Sequence, residues 1–557
     1  MLIDKRMFGP KKIVVLLLVT LVVSLPFVFR EKANTVVPIG NVETLTIMTP
    51  HNETLRREYT IGFKKWYRAK TGKEVNIDWR YQGGGRDAAR YIETMYANNF
   101  RLHWVNELRR VWDSSAIAAF ASRSEKKLQS SEHGLAVEVT REFFKSNVGC
   151  GIDILFGGGV YEFEAQASKG NLVPSDLLVE HPEMFSEDAI PEFLSGNRLW
   201  DKHGRWFGGS LTGFGIIYNS EAIRAEGISF FPKTWMDIGR PEFFKKVAIV
   251  DPTRSSSTQK ALMMLIQQQM QICYDDLKHR LNVDKLSKED EGKIIAEGWI
   301  NGLRLIQKIV ANGRYFTEST TRPVIDVSAG NCLVGITVDF YGFAESKHLE
   351  ERSGSNRFKF VMPYAGGAPS PDPIGIFRGA EHPELAKDFI EFILSLDGQK
   401  LLDFNLCTPG GPSKTTMRRM PILKTIYDAQ YNQYRCSPDI NPYKFASLFV
   451  SHEEWTSKLS NIMGSLVKLA FIDTHDELSD AMRSIIRAQK DGRMEDAEKA
   501  YQLLAAIDDL SCDNIYSNII PVFDGKNILK IANLQNEITK KYRKQYLKAK
   551  KIADGKP

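Results

Sequence analysis

The residues best suited to hold a charged ligand form a hydroxyl-rich run that opens a segment with helical spacing of apolar residues. These residues are Arg254, Ser255, Ser256, Ser257 and Thr258. Backbone N–H groups at a helix start, with hydroxyls beside them, bind phosphate or carboxylate because the helix dipole is positive there. An adjacent arginine can add a bidentate ion pair. The run predicts an anion site; the alternative is that it only caps the helix.

A second candidate helix start lies near residue 50, where a strand-like segment (TLTIMT, residues 44–49) ends. His51 and Asn52 come directly before a segment whose aromatic residues recur at helical spacing. A histidine here is more often a cap or a surface residue than a ligand. It becomes a candidate only if the fold brings it opposite the hydroxyl run.

Motifs of the common catalytic and metal sites are absent from the sequence. It has no HExxH and no GxSxG motif, and residues 208–213 (GGSLTG) miss the spacing of the latter. The six cysteines include no CxxC pair, so the usual spacing of a zinc site is missing. We therefore predict a binding protein that is not an enzyme and has no resident cofactor.

The net charge of +6 comes from the two ends of the chain. Residues 540–557 contain eight Lys or Arg against one Asp, and residues 1–32 contain six basic against two acidic residues. The body between them is slightly acidic, so the composition does not indicate a nucleic-acid partner. The basic tail is typical of a solvated surface; beside a membrane it could contact anionic lipid.

The first 30 residues predict a signal peptide or an N-terminal membrane anchor. Four basic residues precede an apolar run of 17 residues, 13–29. This is the layout of an export signal, and 17 residues are also close to the minimum for crossing a bilayer. Both alternatives predict a periplasmic or other extracytoplasmic body, anchored to the inner membrane in the second case.

Strand and helix patterns alternate along the chain, which predicts an α/β protein with mostly parallel sheets. Two segments share a glycine-punctuated apolar pattern: residues 207–228 (FGGSLTGFGIIYNSEAIRAEGI) and residues 329–346 (AGNCLVGITVDFYGFAES). The segment near 90–148 and the chain beyond about residue 430 lack strand patterns and are predicted to be helical.

The order of six motifs resembles the extracellular solute-binding proteins of ABC importers, and most of all the branch that binds ferric ion or phosphorylated compounds. The motifs are TIMTPHNE, DILFGG, GFGIIYN, VDPTRSSST, VGITVDFYG and HPELAKDFIEFILS, and they cover about residues 44–415. The resemblance implies a two-lobed, type II periplasmic-binding-protein fold. The two glycine-rich segments would carry the chain between the lobes, with the ligand beside them.

This fold predicts the domain organisation. Residues 43–212 and 339–430 form lobe 1, with a helical insertion at about 90–148. Residues 213–338 form lobe 2, and residues 431–557 form a helical C-terminal extension with the basic tail.

The resemblance also places the candidate ligand-binding residues at the facing edges of both lobes. The predicted set is His51, Asn52, Gly157, Gly158, Thr212, Arg254, Ser255, Ser256, Ser257, Thr258, Asp339 and Tyr341.

Ferric-ion binders of this branch hold the metal with an early His, a Glu after the third strand and two adjacent tyrosines. His51 and Tyr341 match two of these positions and are the iron candidates. Phe340 replaces the other tyrosine, and the glycines at 157–159 stand where the Glu should be. Half of this oxygen-rich ligand set is missing, so the sequence favours an anion over a metal.

The predicted function is that of the substrate-binding component of an ABC-type importer. It would capture a small anionic solute, phosphorylated or carboxylated, and deliver it to a permease in the inner membrane. Two alternatives stay open: a membrane-anchored sensing receptor whose helical extension contacts a signalling partner, and a ferric-ion carrier with an atypical site.

Overall fold

The computed structural model describes residues 42–83, 85–129, 133–445, 448–456, 459–525 and 527–556. The apolar segment 13–29, predicted as a signal peptide or anchor, lies outside these described residues. Residues 44–557 form one compact unit. Within the described ranges, no helix is both long enough and apolar enough to cross a membrane.

Two large sheets and one short hairpin account for the strands of the described chain. The strands are β1 (Thr44–Met48), β2 (Asn76–Arg80), β3 (Ile154–Phe156), β4 (Leu172–Val173), β5 (Phe193–Leu194), β6 (Asn197–Arg198), β7 (Phe207–Thr212), β8 (Phe214–Asn219), β9 (Val247–Val250), β10 (Gly313–Thr317), β11 (Val334–Val338), β12 (Phe358–Val361) and β13 (Ser370–Phe377).

Helices of eight residues or more surround the sheets, with shorter helical turns between them. They are α1 (Glu53–Thr71), α2 (Gly85–Leu102), α3 (Ser114–Ala121), α4 (Leu135–Lys145), α5 (Val160–Ser168), α6 (Ser256–Leu281), α7 (Lys288–Ala311), α8 (Asp339–Ser353), α9 (Pro383–Leu394), α10 (Leu396–Asp403), α11 (Ser460–Val467), α12 (His475–Lys490), α13 (Met494–Leu504) and α14 (Ile528–Ala553).

The first sheet has the strand order β2-β1-β3-β13-β4, and β7 also pairs with β13. β1 is parallel to β2 and β3, whereas β13 is antiparallel to β3, β4 and β7. Ile47, Ile154 and Ile374 from three of these strands are completely buried in a core shared with α1, α9 and α10. We call this sheet with its helices the first lobe.

The second sheet has the order β10-β9-β11-β8-β12. β9 is parallel to β10 and β11, and β8 is antiparallel to β11 and β12. Ile336 and Leu265, from β11 and α6, lie in one core, while a smaller core between the sheet and the helix Arg322–Ser328 buries Val327. This sheet and its helices form the second lobe.

The chain passes from the first sheet to the second through a single residue, Gly213, between β7 and β8. It returns through residues 362–369, between β12 and β13. The predicted fold class, a two-lobed α/β arrangement with added helical regions, is therefore confirmed, and these are the two passages that precede the C-terminal extension.

The return passage lies later than residue 338, where the sequence analysis put it. β11 is an inner strand of the second sheet, paired along its whole length with β8. β12 occupies the other edge of β8, with Phe358 opposite Asn219. Because β11 and β12 are in the same sheet, residues 339–361 belong to the second lobe and the chain leaves it only after Val361.

The segment predicted as a helical insertion contains α2, α3 and α4. Phe100 and Phe120 stack at 5.0 Å between ring centroids, and Phe143 contacts both rings edge-to-face at 5.6 and 5.4 Å. The same aromatic cluster includes Leu155 of β3, so the insertion covers a face of the first sheet.

The C-terminal helices share the core of the second lobe. Trp299 Nε1 donates to the Leu510 carbonyl at 2.7 Å, and Gln307 Nε2 donates to the Tyr546 hydroxyl at 2.9 Å. Residues as late as Tyr443 still pack against the first lobe, whereas Phe449 is in the second lobe's core. The extension therefore begins nearer residue 449 than residue 431, and the chain passes between the lobes a third time.

Candidate functional site

A cavity of about 460 Å³ lies between the two lobes. The first lobe contributes a loop after α10, and the second lobe contributes α8 and the helix Arg322–Ser328. The lining residues are Thr321, Val324, Ile325, Tyr341, Ala344, Glu345, Lys347, His348, Glu351, Thr415, Thr416 and Arg418. Hydroxyl, cationic and carboxylate groups thus meet in one space.

His51 is part of a buried hydrogen-bonded network in the first lobe. Its Nε2 donates to Oδ2 of Asp372 at 2.6 Å, and the Thr49 hydroxyl donates to its Nδ1 at 2.8 Å. Arg419 Nη1 donates to the same carboxylate oxygen at 2.9 Å. His51, Asp372 and Arg419 are only 5–7% exposed. Both ring nitrogens of His51 are therefore engaged inside the protein.

The charges of this network support one another. Burial raises the pKa of Asp372, but the hydrogen bond from His51 and the nearby Arg419 outweigh it and leave the pKa below its ordinary value. Burial lowers the pKa of His51, and the carboxylate only partly opposes this effect. We assign an ionised Asp372 beside the Arg419 guanidinium, with a neutral His51 as donor.

The glycines after β3 make room for this network. Gly157 and Gly158 have φ angles of 89° and 122°, and the Gly158 N–H donates to Oδ1 of Asp372 at 3.2 Å. A Cβ on Gly157 would lie 2.5 Å from Cε1 of His51. Gly157 therefore packs against His51 and Gly158 donates to Asp372, so both predicted glycines support the buried network.

Arg418 projects into the cavity from the neighbouring position. Its backbone is left-handed, with a φ of 52°, which is rare for a residue with a side chain. The side chain is 10% exposed, and its closest acidic partner is Glu351 of the second lobe at 3.9 Å. A nearly buried guanidinium with so distant a partner can accept an anion from solution.

Asp339 begins α8 at the boundary between the lobes. Its N–H donates to the Gly213 carbonyl at 2.9 Å, and its Oδ1 accepts from the Phe340 N–H at 2.8 Å. Its Oδ2 is buried and has no hydrogen-bond partner among the described residues. Burial raises the pKa of Asp339 to about 7. The side chain is inaccessible, so it lies beneath the cavity and does not line it.

The two aromatic residues after Asp339, Phe340 and Tyr341, make different contacts. The Arg419 guanidinium lies 3.9 Å from the ring centroid of Phe340, a cation–π contact that joins the lobes. Tyr341 lines the cavity, and burial raises the pKa of its hydroxyl. Tyr341 is the residue of the predicted set that the cavity contains.

The hydroxyl run lies at the start of α6, outside the cavity lining. The Ser255 hydroxyl accepts from the Thr258 N–H at 3.1 Å and caps the helix. The Arg254 side chain is 63% exposed, with its Nε 3.7 Å from Glu318. This run follows β9, which lies between β10 and β11 and is parallel to both, so the run is at the same edge of the sheet as the cavity residues that follow those two strands. None of the residues of the run is on the cavity lining.

Two other predicted residues serve the backbone. Asn52 caps α1 by accepting from the Leu55 N–H at 3.1 Å. Thr212 ends β7 opposite Ser370 of β13. Neither is on the cavity lining.

Sequence reasoning missed Asp372, Arg418 and Arg419. Asp372 lies between two prolines in β13, and the arginines form an adjacent pair between Met417 and Met420. Charges inside such apolar surroundings were the available signal, because buried charges are normally paired or functional.

No group of three or more His, Cys, Asp or Glu suited to a metal occurs in the part of the chain that the structure describes. Of the two iron candidates, His51 is bound to Asp372 and Tyr341 lies in the cavity.

The central part of the chain matches a known protein family. The family model described as bacterial extracellular solute-binding protein matches residues 152–419. The match spans slightly less than half of the chain, and we call this matched segment the solute-binding module. The module runs from β3 to Arg419, so it contains Asp339, Asp372 and Arg418 and lacks His51.

Curated relatives of the chain are distant. An uncharacterized protein of Haemophilus influenzae is 25% identical over 252 residues, 45% of this chain. The phosphoglycerate transport regulatory protein PgtC of Salmonella typhimurium is 22% identical over 193 residues, 35% of this chain. The alignments span 60% and 39% of the length of these two relatives.

Two solved structures resemble the fold of the chain. AfuA from Actinobacillus pleuropneumoniae, with exogenous fructose-6-phosphate bound, is 15% identical with a TM-score of 0.44, covering 76% of this chain and 97% of its own. Apo ferric ion-binding protein A from Pasteurella haemolytica is 12% identical with a TM-score of 0.45, covering 76% and 96%.

Proposed function

We propose that the protein is the substrate-binding component of an ABC-type importer and captures a small anionic solute, phosphorylated or carboxylated, between its two lobes. The observation that carries this proposal is the position of Arg418 in the cavity between the lobes. The solute-binding module supports the class of protein and its extracytoplasmic location, with delivery to a permease in the inner membrane.

Arg418 is suited to an anion because, among the described residues, its only ion-pair contact within 4 Å is the long one to Glu351. Asp403 and Glu350 act on its charge from farther away. Glu351, at 3.9 Å, is beyond hydrogen-bond distance and is itself largely exposed. A phosphate or carboxylate could form a bidentate pair with the guanidinium. The hydroxyls of Thr321, Thr415 and Tyr341 offer further donors from both lobes.

The same geometry supports capture by closure. Arg418 and Thr415 belong to the first lobe, whereas Tyr341 and Thr321 belong to the second. A ligand that contacts both sides stabilises the conformation in which they are close, and so shifts the population toward it.

The name of the relative PgtC bears on both the proposal and its alternative. It refers to phosphoglycerate, a phosphorylated acid, and to regulation of transport. The second element favours a receptor as the alternative function, since the helical extension is fused to the core of one lobe and would move with it. Co-purification of the native protein with a permease would support the importer, and co-purification with a sensor kinase would support the receptor.

The ferric-ion alternative has less support. Both His51 nitrogens are occupied by Thr49 and Asp372, and Phe340 carries no oxygen. Tight iron binding with a phenolate-to-iron absorption band after dialysis against citrate would favour that alternative instead.

The test is a ligand screen followed by calorimetry. Thermal shift against phosphorylated sugars, phosphonates, organic acids and neutral sugars selects the ligand. That ligand is then titrated into the wild type, Arg418→Gln and the control Arg254→Gln. We expect the Arg418 variant to lose roughly 2–5 kcal/mol of binding free energy. The Arg254 variant should bind like the wild type.

The two variants also separate the site proposed here from the one expected from sequence. If Arg254→Gln loses affinity and Arg418→Gln does not, the anion is held by Ser255–Thr258 and Arg254 at the start of α6. If only a neutral solute binds, the anionic-solute proposal is wrong.

A further inference from the structure

The last helix, α14, presents a lysine stripe that no function described so far uses. The helix has 26 residues, and five of its exposed lysines fall on one face. They are Lys530, Lys540, Lys544, Lys548 and Lys551. Positions 540, 544, 548 and 551 are separated by four, four and three residues, the spacing of neighbours along one side of an α-helix.

The charge of the stripe is not neutralised by the protein. Other cations of the helix have partners: Lys541 lies 2.8 Å from Asp509, and Lys550 lies 2.9 Å from Asp480. Among the described residues, none of the five stripe lysines makes an ion pair, and the stripe contains one exposed acid, Glu537. Like charges placed side by side cost free energy, so an anionic partner would relieve this repulsion.

Exposed leucines interrupt the lysines. Leu529 is 77% exposed and Leu547 is 45% exposed. Both lie at helical spacing from the stripe, since Leu547 is three residues after Lys544 and Leu529 is eleven before Lys540. Exposed apolar side chains beside lysines can bury their surface at the boundary between headgroups and acyl chains while the lysines contact the headgroups.

The core fixes which side of α14 faces outward. Tyr542, Tyr546, Ala549 and Ala553 are completely buried on the opposite side. The Tyr546 hydroxyl donates to the Ala470 carbonyl at 3.1 Å, and Arg493 donates to the Ala553 carbonyl at 2.6 Å. The helix therefore cannot rotate, and the stripe stays on the surface as a rigid basic ridge.

We propose that this stripe docks the protein on an anionic phospholipid surface. The partner is identified by its chemistry: closely spaced phosphates that match a lysine row, above acyl chains that accept Leu529 and Leu547. Each lysine near an anionic membrane contributes a modest free energy, and several together give reversible, salt-sensitive binding. Docking would hold the second lobe against the membrane independently of the segment at residues 13–29.

The test is vesicle co-sedimentation with residues 42–557, which omit that apolar segment. This form is appropriate because residues 44–557 are one compact unit. The vesicles contain equal parts of phosphatidylglycerol and phosphatidylcholine, with pure phosphatidylcholine for comparison. Four proteins are compared at about 0.1 M and about 1 M salt. The first two are the wild type and a stripe variant with Lys540, Lys544, Lys548 and Lys551 changed to Gln. The other two are Leu547→Ser and a matched control in which four other exposed lysines are changed to Gln: Lys73, Lys233, Lys285 and Lys414.

We expect wild-type binding to the anionic vesicles only, at the lower salt concentration. The stripe variant should bind roughly 1,000-fold more weakly, at about 1 kcal/mol for each of the four lysines. Leu547→Ser should be intermediate, and the matched control should bind like the wild type. An unchanged thermal midpoint would establish that the variants fold. The proposal is overturned if the wild type does not bind anionic vesicles, or if the matched control loses as much binding as the stripe variant.

Discussion

At the scale of residues, Asp339 combines two features that are costly together. It is completely buried, and one carboxylate oxygen has no hydrogen-bond partner within the described structure. An ionised carboxylate there would be poorly solvated, which is why its pKa rises to about 7. Below about pH 7 the native state therefore holds a proton on Asp339, at the passage between the lobes.

Because the pKa of Asp339 is raised in the native state, the free energy of unfolding should depend on pH in a definite direction. In the unfolded chain an Asp titrates near pH ~3.9, so between there and about pH 7 the native state holds a proton that the unfolded state releases. The contribution of Asp339 to stability is thus present at low pH and is lost as the pH rises through that window.

The variant Asp339→Asn removes the titration and keeps the acceptor for the Phe340 N–H. The free energy of unfolding of both proteins is measured in urea at pH 5 and at pH 8. Between pH 5 and pH 8 the wild type should lose on the order of 3 kcal/mol relative to the Asn variant. Asp403, whose pKa burial raises to about 6, is common to both proteins and cancels in the difference. Parallel pH profiles would refute the assignment.

At the scale of elements, α6 and α7 pack so closely that two glycines of α7 are required. A Cβ on Gly298 would lie 2.4 Å from the Met270 Cα, and one on Gly302 would lie 2.7 Å from Ile266 Cγ1. Because the first of these contacts is to backbone, neither helix can relieve it by rotating a side chain. The pair forms the layer that links the second sheet to the C-terminal helices.

We expect Gly298→Ala to destabilise the protein by roughly 1–3 kcal/mol, the usual cost of overpacking a core. The matched control is Gly292→Ala in the same helix, where an added Cβ meets no atom within 4 Å. Alanine is the better helix former there by about 1 kcal/mol, so the control should stabilise. The denaturant midpoints of both variants measure these changes in stability. If both substitutions raised the midpoint, or both lowered it, the packing argument would be contradicted.

At the scale of the whole molecule, the C-terminal helices and the second lobe form one cooperative body. Leu466 of α11 and Leu478 of α12 are completely buried in the same core as Trp299 of α7. The first lobe has its own core, which includes Leu402. The described chain is therefore packed on the first lobe as far as Tyr443 and on the second lobe from Phe449 onward, so the extension belongs to the second lobe.

Hydrogen exchange can test this division. Leu466→Ala should lower the exchange protection of α7 and α12 together, by roughly 2–5 kcal/mol, since a deleted core side chain leaves a cavity. Leu402→Ala should lower protection in the first lobe and leave α7 and α12 unchanged. If Leu466→Ala affects α12 alone, the extension is a separate domain.

The sequence by itself determined the features that depend on neighbouring residues. Asn52 and Ser255 cap helices as their positions before helical patterns indicate, because capping involves residues only three positions apart. The glycine-rich segment around Gly213 forms the first passage between the lobes. The order of short motifs was enough to predict the two-lobed fold.

Only the tertiary structure decided how distant residues pair. His51 and Asp372 are 321 residues apart, and their hydrogen bond removes His51 from the list of free ligands. β11 has the buried apolar pattern of an inner strand in either lobe, so only its pairing with β8 revealed where the chain returns. The position of Arg418 depends on a loop, on α8 and on the approach of the two lobes. The spacing of apolar residues along the sequence indicates which residues are buried. It does not indicate which distant residues pair, because that pairing depends on contacts between segments hundreds of residues apart.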